Sequence, residues 1–285
     1  MSIKDKKIVF YGAGEMAEAI ARGILSQKLV SNKNLAMLNR NNEARLHELN
    51  DLYGVQTEMQ GLSKLEYIKQ ADIIFLAMKP KDAVEALDAI EPYVKSHQLI
   101  ISVIAGLSID SMEQLLGDDL PLVRSMPNTS SRIGYGVTGI SYSPLVSEEQ
   151  RAIVEKIYQS IGISLVIDED QQDAITSISG SGPAYVYFIM EQMMNRAIET
   201  GFSVDDAKKL VSQTVLGAAE MVIQSGENPG ELRRKVTSPN GTTQAAIEKM
   251  TEMGLPKAIF SGMESCENRA KEIRSTVEED LQIKV

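Results

Sequence analysis

The sequence predicts an α/β protein in two parts, a doubly wound parallel sheet over residues 1–168 followed by an all-helical domain over residues 169–285. Short β-rich apolar runs alternate with amphipathic helical stretches as far as Asp168. Beyond Glu169 the strand signals stop and long helical periodicities take over. A length of 285 residues suits two packed domains, and no repeat, low-complexity tract or Pro/Ser-rich linker separates them.

The first strand is "KIVFY", and it runs straight into "GAGEMA" and the helical pattern "EMAEAIARGILSQ". Gly12, Gly14 and Ala17 stand in a G-x-G-x-x-A arrangement, with Ala13, Glu15 and Met16 between them. Gly12 allows the tight turn, Gly14 lets backbone approach a pyrophosphate, and Ala17 lets helix and strand pack closely. This is a Rossmann-type dinucleotide fingerprint in its required strand-to-helix context. The second strand, "NLAML", ends in "LNRNN", where an NAD site usually carries an acid for the ribose 2′-hydroxyl. Asn39 and Arg40 stand there instead, so no carboxylate is there to repel a 2′-phosphate, and the expected cofactor is NADPH in preference to NADH. The next run, "ADIIFLAM", ends in Ala77, Met78, Lys79 and Pro80, where small residues admit the nucleotide and Lys79 can neutralise phosphate. One helix is expected over "KDAVEALDAIEPYV". The strand "QLIISVIAG" brings Ala105 to the same edge, and "PLVRSM", "GVTGISY" and "ISLVIDE" complete the sheet.

Helical periods then run through "DAITSISGSGPAYVYFIMEQMMNRAIETG", "SVDDAKKLVSQTVLGAAEMVIQSG" and "LPKAIFSGMESCENRAKEIRSTVEED". Met190, Met193, Met194, Met221, Met250, Met253 and Met263 read as flexible core filler. Several of these helices are too apolar for one small domain to cover, which points to a homo-oligomer. Between them "SPNGTT", Ser238 to Thr243, breaks the helical pattern. Pro239 and Gly241 stop one helix, and Thr242, Thr243 and Gln244 open another. Amide groups at such a start attract anions, and the hydroxyls of Ser238 and Thr242 can donate or cap.

A net charge of −10 without any basic stripe argues against nucleic acid as a partner. The longest apolar run, Leu99 to Leu107, is about half a membrane span, and "MSIKDKK" leads into a strand, so a cytoplasmic protein without membrane contact is expected. The single cysteine, Cys266, excludes a disulfide framework or multi-cysteine metal site and reads as an inert buried thiol; no metal is expected. His47 and His97 lie in polar surroundings, and no Lys occurs from Ile157 to Ala207 to act as a base on the first long helix. Ketone or alcohol chemistry needs such a proton carrier. A protonated imine accepts hydride readily, and a positioned hydroxyl donor suffices.

Taken together, "GAGEMAEAI", "AMKP", "RSMPNT", "SGSGPAY" and "VTSPNGTT" resemble, in order and spacing over essentially the whole chain, the pyrroline-5-carboxylate reductases. The resemblance implies reduction of 1-pyrroline-5-carboxylate to L-proline by NADPH or NADH, the last step of proline biosynthesis. It implies that Ser179, Gly180, Ser181, Gly182 and Pro183 lie beside the substrate ring, with Met126, Pro127 and Asn128 near the nicotinamide. It also implies that Ser238, Gly241, Thr242 and Thr243 cradle the substrate carboxylate, with Thr243 and Ser181 as candidate catalytic residues. Interlocked dimers, in several members assembled as a pentamer of dimers, belong to the same expectation. Two departures stand out: Asn240 where glycine is usual, and Glu15 at the mouth of the phosphate loop, which is expected to face solvent. Other readings are a reductase of another cyclic imine and a non-catalytic NADP-binding regulator descended from a reductase.

Overall fold

The computed structural model describes residues 3–59 and 64–282. Eight strands form one sheet in the order β3-β2-β1-β4-β5-β6-β7-β8. They are β1 (Ile8–Tyr11), β2 (Leu35–Asn39), β3 (Gln56–Met59), β4 (Ile73–Leu76), β5 (Leu99–Ser102), β6 (Leu122–Met126), β7 (Gly136–Tyr142) and β8 (Gly162–Val166). Helices α1 (Glu15–Ser26), α2 (Glu43–Tyr53), α3 (Lys64–Gln70), α4 (Ala83–Asp88), α5 (Ile109–Leu116) and α6 (Glu148–Gln159) make the crossovers. Every strand pair is parallel except β6 with β7, which run antiparallel. Between those two strands lies only a 3-10 turn, Thr129–Ile133, too short for the helical crossover that a parallel pair requires.

Strands β1, β4 and β5 are buried along their whole lengths because helices cover both faces. Phe10 and Phe75 stack on one face at 4.6 Å, within the core that α1 and α6 close. Val9, Tyr11, Ile74 and Leu76 face the other core, which Val277 and Leu281 complete from far along the chain. The edge strand β3 reads "QTEM" and is exposed or half-buried throughout, which is why no apolar run announced it. The single helix expected over "KDAVEALDAIEPYV" is instead α4 flanked by 3-10 turns at Pro80–Asp82 and Glu91–Tyr93. Pro92 lacks an amide donor and disfavours helical backbone before it, so the helix cannot continue.

After the last strand come α7 (Gln172–Ile175), a π-helical turn at Thr176–Gly180, and then α8 (Gly182–Glu199), α9 (Val204–Ser225), α10 (Pro229–Lys235), α11 (Thr242–Glu252) and α12 (Leu255–Gln282). Packing divides the chain into Met1–Ser181 with Cys266–Val285, and Gly182–Ser265. The sequence placed the junction at 168/169. Packing need not follow that junction, since Glu169 and Asp173 both pair with the buried Arg124 of β6, at 3.1 and 3.4 Å, and Arg274 reaches Asp173 at 3.2 Å. Gln172 adds a hydrogen bond to the hydroxyl of Ser141 in β7 at 2.9 Å. The start of the helical region is thereby fastened to the sheet.

Residues Gly182–Ser265 leave a large apolar surface in the single chain, including Tyr187, Phe188, Ile223 and Phe260. The methionines do not fill a core here: Met193, Met221, Met250 and Met253 are exposed, and Met190, Met194 and Met263 are half-buried. Mixed polar and apolar helix faces do not reveal from periodicity alone whether the apolar side meets its own chain or another.

Candidate active site

The order of strands reverses between β1 and β4, and an open cleft of about 760 Å³ lies at their carboxyl ends, the place where doubly wound sheets take nucleotides. It is lined by Tyr11 to Met16, Asn39 to Asn41, Ala77 to Lys79, Lys81, Asp82, Glu85, Ala86 and Ala89. Gly12 has φ of +114°, and a Cβ there would sit 2.5 Å from the carbonyl oxygen of Ala77, so turn and close approach both demand glycine. A Cβ on Gly14 would meet nothing within 4 Å, which leaves open space for a ligand beside the backbone. Gly14 caps α1 without any side-chain hydrogen bond, so the first amides of the helix point at that space. Ala17 is fully buried against the sheet. These features fit a dinucleotide pyrophosphate. Pro80, Ala105, Met126, Pro127 and Asn128 do not line this cleft.

The cleft carries Arg40, Lys79 and Lys81 against Glu15, Asp82 and Glu85. The expectation of no carboxylate beside Arg40 is corrected here. It holds for the loop after β2, but Asp82 and Glu85 come from the segment after β4 and stand 3.4 and 3.7 Å from the guanidinium. Glu15 is exposed, as expected, and is also paired with Arg132 at 2.5 Å. Asn39 accepts hydrogen bonds from the amides of Asn41 and Asn42, both at 3.2 Å, and so shapes the loop that presents Arg40. Arg45 braces the phosphate loop by donating to the carbonyl of Ala13 at 3.4 Å and pairing with Glu18. Burial works to raise the pKa of Glu18, but hydrogen bonds from Tyr53 and Arg45 and the nearby positive charge outweigh it and hold the carboxyl below its ordinary range.

A second cluster joins the end of β6 to the π-helical turn. Asn128 donates to the carbonyl of Ser179 at 2.9 Å and accepts from the amide of Val137 at 3.2 Å, so its side chain is spent on holding backbone. A Cβ on Gly180 would lie 3.2 Å from the Met126 methyl, which explains glycine at this contact. The wide turn is closed by the Ser181 amide on the Thr176 carbonyl at 2.8 Å. Such turns recur where a helix must offer irregular backbone to a ligand. The Ser179 hydroxyl turns back to its own helix, on Ile175, whereas the Ser181 hydroxyl accepts from Cys266 Sγ at 3.2 Å. Cys266 is therefore half-buried rather than buried as expected, and is a hydrogen-bond partner of a candidate catalytic serine. Gly182 and Pro183 open α8 and are half-buried.

The Ser238–Thr243 loop lies within the helical unit. Asn240 has φ of +59°, a left-handed conformation that asparagine tolerates, which accounts for its standing in for glycine. The helix cap differs from expectation: Gly241, not Ser238 or Thr242, is the capping residue of α11, and no side chain bonds to it. The amide of Asn240 donates to the Gln244 side chain at 2.7 Å, and the Gly241 amide to the Ser238 carbonyl at 3.0 Å. A Cβ on Gly241 would collide with the Ser238 side chain at 2.5 Å. The hydroxyls of Ser238, Thr242 and Thr243 form no side-chain hydrogen bond among the described residues.

The dimerisation model of the pyrroline-5-carboxylate reductases matches residues 169–273, and that of NADP oxidoreductases, coenzyme F420-dependent, matches residues 7–106. Pyrroline-5-carboxylate reductase 2 of Bacillus subtilis is 41% identical over 94% of this chain and 95% of its own. The chain belongs to the pyrroline-5-carboxylate reductase family. A pyrroline-5-carboxylate reductase of Pseudomonas aeruginosa is 35% identical over 94% of the chain and 96% of its own. The Plasmodium falciparum pyrroline carboxylate reductase with NADP bound superposes with a TM-score of 0.86 at 29% identity, covering 95% of this chain and 99% of that one. The Coxiella burnetii reductase gives 0.85 at 32% identity, covering 94% and 98%. The charged side chains that sequence reasoning missed at this reductase's cleft or its rim are Lys81, Asp82, Glu85 and Arg132. The first three follow "AMKP" directly, where continuing the motif would have found them, but nothing in the sequence ties Arg132 to Glu15.

Among the described residues no helix is long and apolar enough to cross a membrane, and no group of three His, Cys, Asp or Glu could hold a metal.

Proposed function

We infer that the chain reduces 1-pyrroline-5-carboxylate to L-proline with NAD(P)H, the step that completes proline biosynthesis. The observation that carries this is the 41% identity to a curated reductase over 94% of the chain. The cleft chemistry agrees with it. The Gly12 turn, the amides at the start of α1 and the loop bearing Arg40 would hold the cofactor, which when bound supplies hydride to the imine carbon. The chain's own task is to bind the ring, place it and hold a proton at nitrogen, for which hydroxyls suffice and no histidine or lysine base is needed. The amides at the start of α11 and the Ser238 and Thr242 hydroxyls form the carboxylate cradle in this reading, and Thr243 hydrogen-bonds the ring nitrogen. Ser181, Gly182 and Pro183 flank the ring. Purified protein should oxidise NADPH on addition of pyrroline-5-carboxylate and much more slowly with the six-membered homologue. No consumption with either would sink the assignment.

Residues 169–285 serve as the substrate and dimerisation domain in this proposal, and residues 1–168 as the NADP-binding one. The exposed aromatic and aliphatic side chains of α8, α9 and α12 support a homo-oligomer, an interlocked dimer that can build a pentamer of dimers, working in the cytoplasm.

NADPH is the preferred cofactor in this reading, through Arg40. Arg40→Asp should raise KM for NADPH by about ten-fold or more, the cost of losing one charge-assisted phosphate contact, with a much smaller change for NADH. Steady-state titrations of both cofactors check this. Equal changes would remove Arg40 from the 2′-phosphate site.

A further inference from the structure

We propose that Arg132 is an additional ligand of the cofactor pyrophosphate, held ready at the mouth of the cleft by Glu15. This rests on the reading of the cleft as an NAD(P)H site. Glu15 is the first residue of α1, the helix whose uncapped amides face the space beside Gly14. Its carboxylate lies where a pyrophosphate would feel it most, and a bare negative charge there would oppose binding. The guanidinium of Arg132 meets that carboxylate at 2.5 Å, and among the described residues Arg132 has no other ion pair. Its positive charge is also felt at Glu18, one turn further along the same helix.

The turn that carries Arg132 is anchored on both sides. Asn128 fixes its start through Ser179 and Val137, Ser131 is buried, and the turn packs against α1. Gly136 follows so closely that a Cβ there would strike the backbone of Ser131 at 2.9 Å. Only the exposed end of the Arg132 side chain has freedom to move, and a long arginine needs no backbone change to exchange one oxyanion for another. A diphosphate offers bidentate acceptors and the additional pull of the helix amides, so it competes successfully with a single exposed carboxylate. Glu15 thus keeps the arginine at the right place and surrenders it when the cofactor arrives. Because both dinucleotides carry the same pyrophosphate, Arg132 acts on affinity for each, whereas Arg40 acts on the choice between them.

The test is direct binding to the full-length protein without imine, read by nicotinamide fluorescence for NADPH and NADH and by displacement for 2′-AMP, which lacks a pyrophosphate. Arg132→Gln should raise Kd for NADPH and NADH alike by about ten-fold and leave 2′-AMP unchanged, with an unaltered melting temperature. Unchanged dinucleotide affinity, or a loss confined to NADPH, would overturn the assignment. Glu15→Gln provides the second arm: freeing Arg132 should tighten both dinucleotides by about three-fold. Weaker binding in that variant would make the pair a structural brace and refute the proposal. If wild-type protein bound neither dinucleotide, the cofactor reading itself would fall; if it bound both and the arginine variant matched it, only the role of Arg132 would.

Discussion

Arg124→Met should lose about 3–5 kcal/mol of stability, because it strips a buried carboxylate of one of its two cationic partners. Arg124 is 4% exposed and Asp173 2%, so neither can turn to water when its partner goes. Arg274 would still reach Asp173 at 3.2 Å, but Glu169 would lose its arginine and, among the described residues, keep only the Ile109 amide at 2.8 Å. The melting temperature should fall by roughly 10 °C, measured by scanning calorimetry. A companion variant separates charge from packing. Arg124→Met with Asp173→Leu removes both buried charges and should recover much of the loss, since an apolar pair of similar volume needs no counter-ion. No loss in the single variant would mean that water reaches this cluster.

Thr243→Ala should lower kcat/KM for pyrroline-5-carboxylate by about five- to 150-fold, equivalent to 1–3 kcal/mol of transition-state stabilisation. The side chain is half-buried, near the start of α11, and its hydroxyl has no hydrogen-bond partner among the described residues. Removing it therefore orphans no group in the folded chain, and stability should stay within about 0.5 kcal/mol of wild type. NADPH affinity should also hold. Thr243→Ser keeps the hydroxyl and should retain most of the rate, which distinguishes a donor from a methyl group that merely packs. Unaltered turnover in the alanine variant would leave Thr243 no catalytic part.

Most of the sheet was legible because its central strands are buried on both faces and read as apolar runs, such as "KIVFY" and "ADIIFLAM". β3 was not, since an edge strand can be polar on every residue and is set by its neighbour β2. The glycines of the phosphate loop were legible for a different reason: Gly12 stands where backbone geometry admits no other residue, so chemistry and position coincide. Ion pairs were the illegible part. Arg40 with Asp82 spans 42 positions, and Glu15 with Arg132 spans still more, distances across which no local pattern carries information. The π-helical turn was likewise hidden, because the run of small residues before Pro183 announces an irregularity without naming its kind.

Val277 and Leu281, at 3% and 4% exposure, belong to the same core as Val9, Tyr11 and Ile74, and Gly106 admits the backbone of Arg274 so closely that a Cβ would stand 3.0 Å from its nitrogen. The ribosome delivers β1 to β6 long before it delivers this part of α12. Domains ordinarily fold as units in the order they emerge, yet here α3, α4 and α5 cover one face of the nucleotide-binding sheet only in part, and its last core side chains come from residues made after the whole intervening helical unit. A nascent chain that stops within α11 therefore exposes sticky strand-covering surface, which marks it for chaperones and proteases. Completion of the nucleotide-binding core thus reports that the helical unit between has already been made.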